Sequence, residues 1–122
     1  MSTIKTTTLS TPGGSTVPVD TVVNGTAKAW VNFSGTGTVA IRRAFNVSSI
    51  TDNGTGSFNV NFTTAMVDVD YVCIANASGT TDANNLQPIA SVDRTASSVR
   101  VDVETGAAAQ YDADLIDAII FS

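Results

Sequence analysis

Histidine is absent from this chain of 122 residues, and cysteine occurs once, at Cys73. Without histidine, neither Ser-His nor Cys-His nucleophilic machinery can be built, nor a His-based zinc site. A single thiol closes no intrachain disulfide and forms no thiolate cage. Cys73 stands in Tyr71-Val72-Cys73-Ile74-Ala75, an apolar strand-like run, so it is expected to be a small buried hydrophobe. Charge is scarce as well, at 14% of residues against roughly 25% in ordinary soluble domains. Six bases against eleven acids leave a net charge of −5, and Arg42-Arg43 is the only basic cluster. Affinity for nucleic acid comes mainly from Lys and Arg neutralising phosphates, so nucleic acid is not an expected partner. No apolar run approaches the ~18 residues of a membrane span. No secretory-type apolar segment opens the chain, and synthesis in a cytoplasm without membrane insertion is expected. The glycines lack Walker-type spacing with Lys-Ser or Lys-Thr. No cofactor and no catalytic residue is expected.

Thr, Ser, Asn and Gly take the place of charge. A neutral, hydroxyl-rich surface resists association weakly and favours assembly with other subunits. The length fits one domain with a real core. Residues 1–23 differ from the rest. Two prolines and a Gly pair make a poor helix and an interrupted strand, which predicts an extended arm. Such an arm is mobile unless it lies on something, and a neighbouring subunit or a larger particle is the favoured support. From residue 24 onward the pattern is β. Ala27, Ala29, Val31 and Phe33 alternate with Lys28, Trp30 and Asn32. Strands are predicted over 27–33, 38–45 and 58–62, with an extended course through 45–51. Further strands are predicted over 71–77, 88–92, Ser98–Glu104 and Leu115–Phe121. Asp52-Asn53-Gly54-Thr55-Gly56 is the strongest turn signal. Residues 78–87 and 105–113 read as loops, with at most one helical turn at Ala107–Ala109. The sum is an all-β antiparallel sandwich or jelly-roll-like domain over 24–122. Leu115–Phe121 is apolar on both faces except at Asp117, so it is expected to lie centrally in a sheet or under another subunit.

Carboxylates are the one reactive group present in number. Asp68 and Asp70, or Asp112, Asp114 and Asp117, could hold a hard cation through oxygen, and paired acids could hydrolyse a glycoside. Acids on the wet face of strands are the favoured reading, and no metal is expected. Six Asn-x-Ser/Thr triplets, at Asn24, Asn32, Asn46, Asn53, Asn61 and Asn76, read as turn and strand-face chemistry. Trp30 shares a face with Lys28 and Asn32; core packing, subunit interface and ligand stacking all remain open for it. Arg42 and Arg43 point to opposite faces of one strand, and one of them is expected to meet a carboxylate across a subunit boundary. Trp30, Arg42, Arg43, Leu115, Ile119 and Phe121 are the interface candidates.

The block Ala27-Lys-Ala-Trp-Val-Asn-Phe33, then Gly35-Thr-Gly-Thr-Val-Ala-Ile-Arg42, then Phe45-Asn-Val-Ser-Ser-Ile-Thr-Asp-Asn-Gly-Thr-Gly56 resembles a module of marine and freshwater bacteriophage proteins, cyanophages prominently. The resemblance is close over about 45 residues and diffuse over the last 50. It departs at Arg43-Ala44, where the module commonly carries Asp-Ser. It implies a virion structural protein of the tail-fibre-like kind, an adhesion component that forms a homotrimer. Residues 1–23 would attach it to other virion proteins, and loops 78–87 and 105–113 would face host surface glycans. The alternative is a capsid cement or decoration protein on the head shell, which the short chain favours. A carboxylate-based polysaccharide depolymerase is the third reading, and no catalytic residue comes with the resemblance.

Overall fold

The computed structural model describes residues 1–79 and 87–122. In chain order the elements are β1 (Thr8–Ser10), β2 (Thr16–Pro18), α1 (Val19–Gly25), β3 (Ala29–Ser34), β4 (Ala40–Phe45) and β5 (Val47–Gly54). They continue with β6 (Ser57–Phe62), β7 (Val72–Ser78), β8 (Gln87–Arg94), β9 (Ser98–Glu104) and β10 (Leu115–Phe121). The last eight strands form two four-stranded antiparallel sheets, ordered β4-β3-β10-β7 and β5-β6-β9-β8. This is the expected all-β domain. Both Ser98–Glu104, expected from its alternation, and Leu115–Phe121, expected from its two apolar faces, appear with those bounds, and β10 lies centrally between β3 and β7.

Alternation decides the core. Ala29, Val31 and Phe33 of β3 point inward with Ile116, Ala118 and Ile120 of β10; Phe58, Val60 and Phe62 of β6 meet them with Val99, Val101 and Val103 of β9. The Phe33 and Phe58 rings join the two layers edge to face, 5.4 Å between centroids and 72° between planes. Each such fully buried side chain contributes about 1.5–3 kcal/mol of transfer free energy.

The corners depart from the sequence reading in instructive ways. The extended course through 45–51 is broken at Asn46, a left-handed residue with φ of 54°. There the chain leaves one sheet for the other. The amide of Asn46 fixes this corner: Nδ2 donates to Lys28 O (3.0 Å) and Thr64 O (3.1 Å), and Oδ1 accepts from Thr64 N (2.7 Å). The Asn53-Gly54 pair is not the hairpin corner. Gly54 still pairs with Ser57, so Thr55 and Gly56 turn the chain, and a bulge falls between Asp52 and Gly54. Ala107–Ala109 makes no helical turn. Ala108 has φ of 59°, and Thr105 N donates to Ala109 O while Ala108 N donates to Thr105 O, which closes a tight reverse turn.

The N-terminal residues hold more local structure than an extended course. β1 and β2 form a small antiparallel hairpin, followed by the seven-residue α1. Pro18 precedes the helix with the φ of −60° that its ring dictates, and Asp20 lies in the first turn. None of residues 1–26 is buried. The up-and-down course of β3 to β10 gives the sandwich two distinct ends. The N-terminal segment, Asn46, residues 63–71, the 95–97 turn and Ser122 lie at one end. At the other lie residues 35–39, the Thr55-Gly56 turn, the ends of β7 and β8, and residues 105–114.

Candidate assembly face

The two outer faces of the sandwich differ in chemistry. On the first sheet, register places Phe45, Trp30, Ile119 and Ile74 side by side, one on each of β4, β3, β10 and β7. They are 53%, 39%, 39% and 58% exposed; Val72 (56%) extends the patch on one side, and Leu115 (40%) lies on the same face beyond the row of Asp117. Phe121, opposite Val72 in the ladder, is half-buried on the same face. Four large apolar side chains in one row differ from the singly scattered apolar residues usual on a protein surface. The adjacent row reads Arg43, Asn32, Asp117 and Asn76 across the same strands. Asn32 Nδ2 donates to Asp117 Oδ1 at 2.5 Å.

Among the described side chains of β5, β6 and β9, the outer face of the second sheet is polar and bonded to itself. Asn61 Nδ2 donates to Ser49 Oγ (3.1 Å) and Thr51 Oγ1 (2.9 Å), and Asn53 Nδ2 to Asn59 Oδ1 (2.9 Å). Arg100 binds Asp102 at 2.9 Å and Asp93 at 3.0 Å; these neighbours hold the guanidinium pKa above its ordinary value, the Asp102 hydrogen bond first among them. These described side chains satisfy one another within the chain. The triplet asparagines Asn32, Asn46, Asn53 and Asn61 thus serve strand faces and corners, as their sequence context predicts.

The sequence-predicted site residues divide as follows. Trp30, Arg43, Leu115, Ile119 and Phe121 share the first sheet's outer face. Arg42 bonds within its own chain: its guanidinium donates to Asp114 O (2.6 Å) and Asp114 Oδ1 (2.9 Å). The carboxylates are dispersed. Asp112 Oδ1 accepts from Gly56 N (2.7 Å), Asp114 binds Arg42, Asp117 binds Asn32, and Asp68 Oδ1 accepts from Asp70 N (2.8 Å). Among the described residues no three metal-ligating side chains gather. Cys73 points inward from β7 and packs against the core, and burial pushes its thiol pKa up. Tyr71 is a core residue. Its hydroxyl lies 3.0 Å from Thr95 O and 2.9 Å from Ser98 O, and Arg94 stacks over its ring at 5.5 Å. Burial raises its pKa, against the opposing pull of Arg94.

Sequence reasoning missed Phe45, Val72 and Ile74. A signal existed for two of them: Val72 and Ile74 alternate with Cys73 and Ala75, so β7, like β10, is apolar on both faces. Loop 78–87 lies almost wholly outside the described residues, whereas 105–113 sits at the far end of the sandwich. Among the described residues no helix is long and apolar enough to cross a membrane. Comparison with family models, curated proteins and solved structures finds no match to this chain.

Proposed function

We propose that this chain is a structural protein of a bacteriophage particle, a tail-fibre-like surface component that assembles as a homotrimer through the outer face of its first sheet. The observation that carries this reading is the four-strand apolar row Phe45–Trp30–Ile119–Ile74, left open to solvent while the described outward side chains of β5, β6 and β9 are polar and bonded to one another. Burying that row against further copies removes several large apolar side chains from water, at about 25 cal/mol per Å². The bacteriophage context comes from the module resemblance. The two ends of the sandwich fit the adhesion role: the N-terminal segment leaves one end, where residues 1–23 would attach to other virion proteins. The 105–113 loop stands at the other, where it would meet host surface glycan.

The test has two parts. Light scattering of the purified chain at micromolar concentration gives a trimer mass if the reading holds and the 12.5 kDa monomer mass if it does not. Copy counting in purified particles then separates a few tail positions, the expected result, from the many copies of a head decoration protein. The second outcome would move the same assembly unit to the capsid.

A further inference from the structure

Arg42 and Arg43 are neighbours in sequence with opposite circumstances. Arg42 is held by Asp114 within the chain. Arg43, on the exposed edge strand β4, forms no ion pair among the described residues. Two strands away in the same row, Asp117 also meets no cation among the described residues; one of its oxygens accepts from Asn32, and the other carries no bond there. Adjacent strands lie about 4.8 Å apart, so the backbones bearing Arg43 and Asp117 are about 10 Å apart with Asn32 between them. A shallow depression of about 470 Å³ lies along this row, lined by both charged residues and by Trp30 and Ile119. In the apolar row and the row beside it, these two are the only charged residues.

We propose that Arg43 of one copy pairs with Asp117 of the next across the assembly contact, a step that rests on the homotrimer proposed above. Arg43 stands at the rim of the face and Asp117 in its interior. A copy that lays its β4 rim over its neighbour's β10 brings the two charges together. In a homotrimer the rim of each copy meets the interior of the next, a head-to-tail contact that closes into a ring when the rotation allows. The pair also answers an energetic requirement: either charge buried alone under an apolar partner is strongly unfavourable, whereas each satisfies the other. Apolar contact is non-directional, and one ion pair at a fixed place in the row sets the register between copies. This gives the lone arginine and the lone carboxylate one shared purpose, recognition of a second copy of the same chain.

Charge reversal tests it. Arg43→Asp and Asp117→Arg, made singly and together in the full chain, are compared by sedimentation equilibrium, with circular dichroism to confirm the β fold. Each single reversal is expected to raise the dissociation constant at least about tenfold, and the double reversal to return it toward the wild-type value. Should Asp117→Arg disturb the sheet, the charge-neutralising pair Arg43→Gln and Asp117→Asn replaces it. The wild-type association constant should then fall with added salt while that of the double neutral variant does not. A wild-type trimer whose single reversals associate normally, or whose double reversal is no better than either single, overturns the pairing but leaves the assembly intact. A wild-type monomer overturns both.

Discussion

Asn46 uses both polar atoms of its side chain to hold one corner. Its amide ties Lys28 and Thr64 together while its own backbone stays left-handed. Asn46→Ala removes three hydrogen bonds and meets the left-handed penalty for an alanine, a cost of about 2–3 kcal/mol in urea unfolding. Asn46→Gly tolerates the backbone and should lose less. In sequence this residue is one of six similar triplets, and nothing local marks it as the sheet-to-sheet corner; its partners lie 18 residues away on either side. The same distance problem hides Tyr71, whose hydroxyl reaches the turn between β8 and β9. Burial raises the pKa of Tyr71 and of Cys73. Both are neutral when protonated, so their contribution to stability is complete below their ordinary values and is lost as pH climbs through the raised ones. The unfolding free energy should therefore decline above about pH 9. Cys73→Ala should remove the earlier part of that decline, which paired urea titrations at pH 8 and pH 10 would read.

At the scale of elements, strands were the legible feature and connections were not. Val99, Val101 and Val103 against Arg100, Asp102 and Glu104 announce β9 without help from the rest of the fold, because a period of two sorts one face from the other. Residues 18–25 announced no helix, since Val, Thr and Asn are weak helix formers and the adjoining prolines suggested an extended course. The helix buries nothing, so no apolar stripe was there to be found. Gly35 shows how tightly a connection can be bound to the core. Its N–H donates to Ala113 O at 2.9 Å, and a Cβ at that position would lie 2.7 Å from the Phe58 ring and 3.0 Å from Ile116 Cδ1. Gly35→Ala should destabilise the domain by about 1–3 kcal/mol, visible as a lowered Tm by circular dichroism. Gly37, which meets nothing within 4 Å, has φ of 61°, so alanine there should cost only the backbone penalty of about 1–2 kcal/mol.

The whole molecule is a closed sandwich with an open face and an N-terminal segment that contributes nothing to its core. Deleting residues 1–23 removes no buried side chain, so the shortened chain is expected to keep its β-sheet circular dichroism and its cooperative melt while no longer entering particles; unfolding on deletion would show that the segment belongs to the fold. The open face was half visible in the sequence. The doubly apolar β10 and the outward Trp30 pointed to it. Phe45 and Ile74 completed it only when the ladder placed them beside Trp30 and Ile119. The face is also where the account is most exposed to test, and Ile119→Lys is the sharpest probe of it. This residue is 39% exposed on a central strand with its neighbours Ala118 and Ile120 turned inward, so the substitution leaves the core untouched and places a charge in the middle of the row. Sedimentation equilibrium of the wild type and Ile119→Lys side by side, at micromolar concentration, should give a trimer for the first and a folded monomer for the second. A wild-type chain that sediments as a stable monomer, or a variant that remains trimeric, would contradict the assignment of this face to assembly.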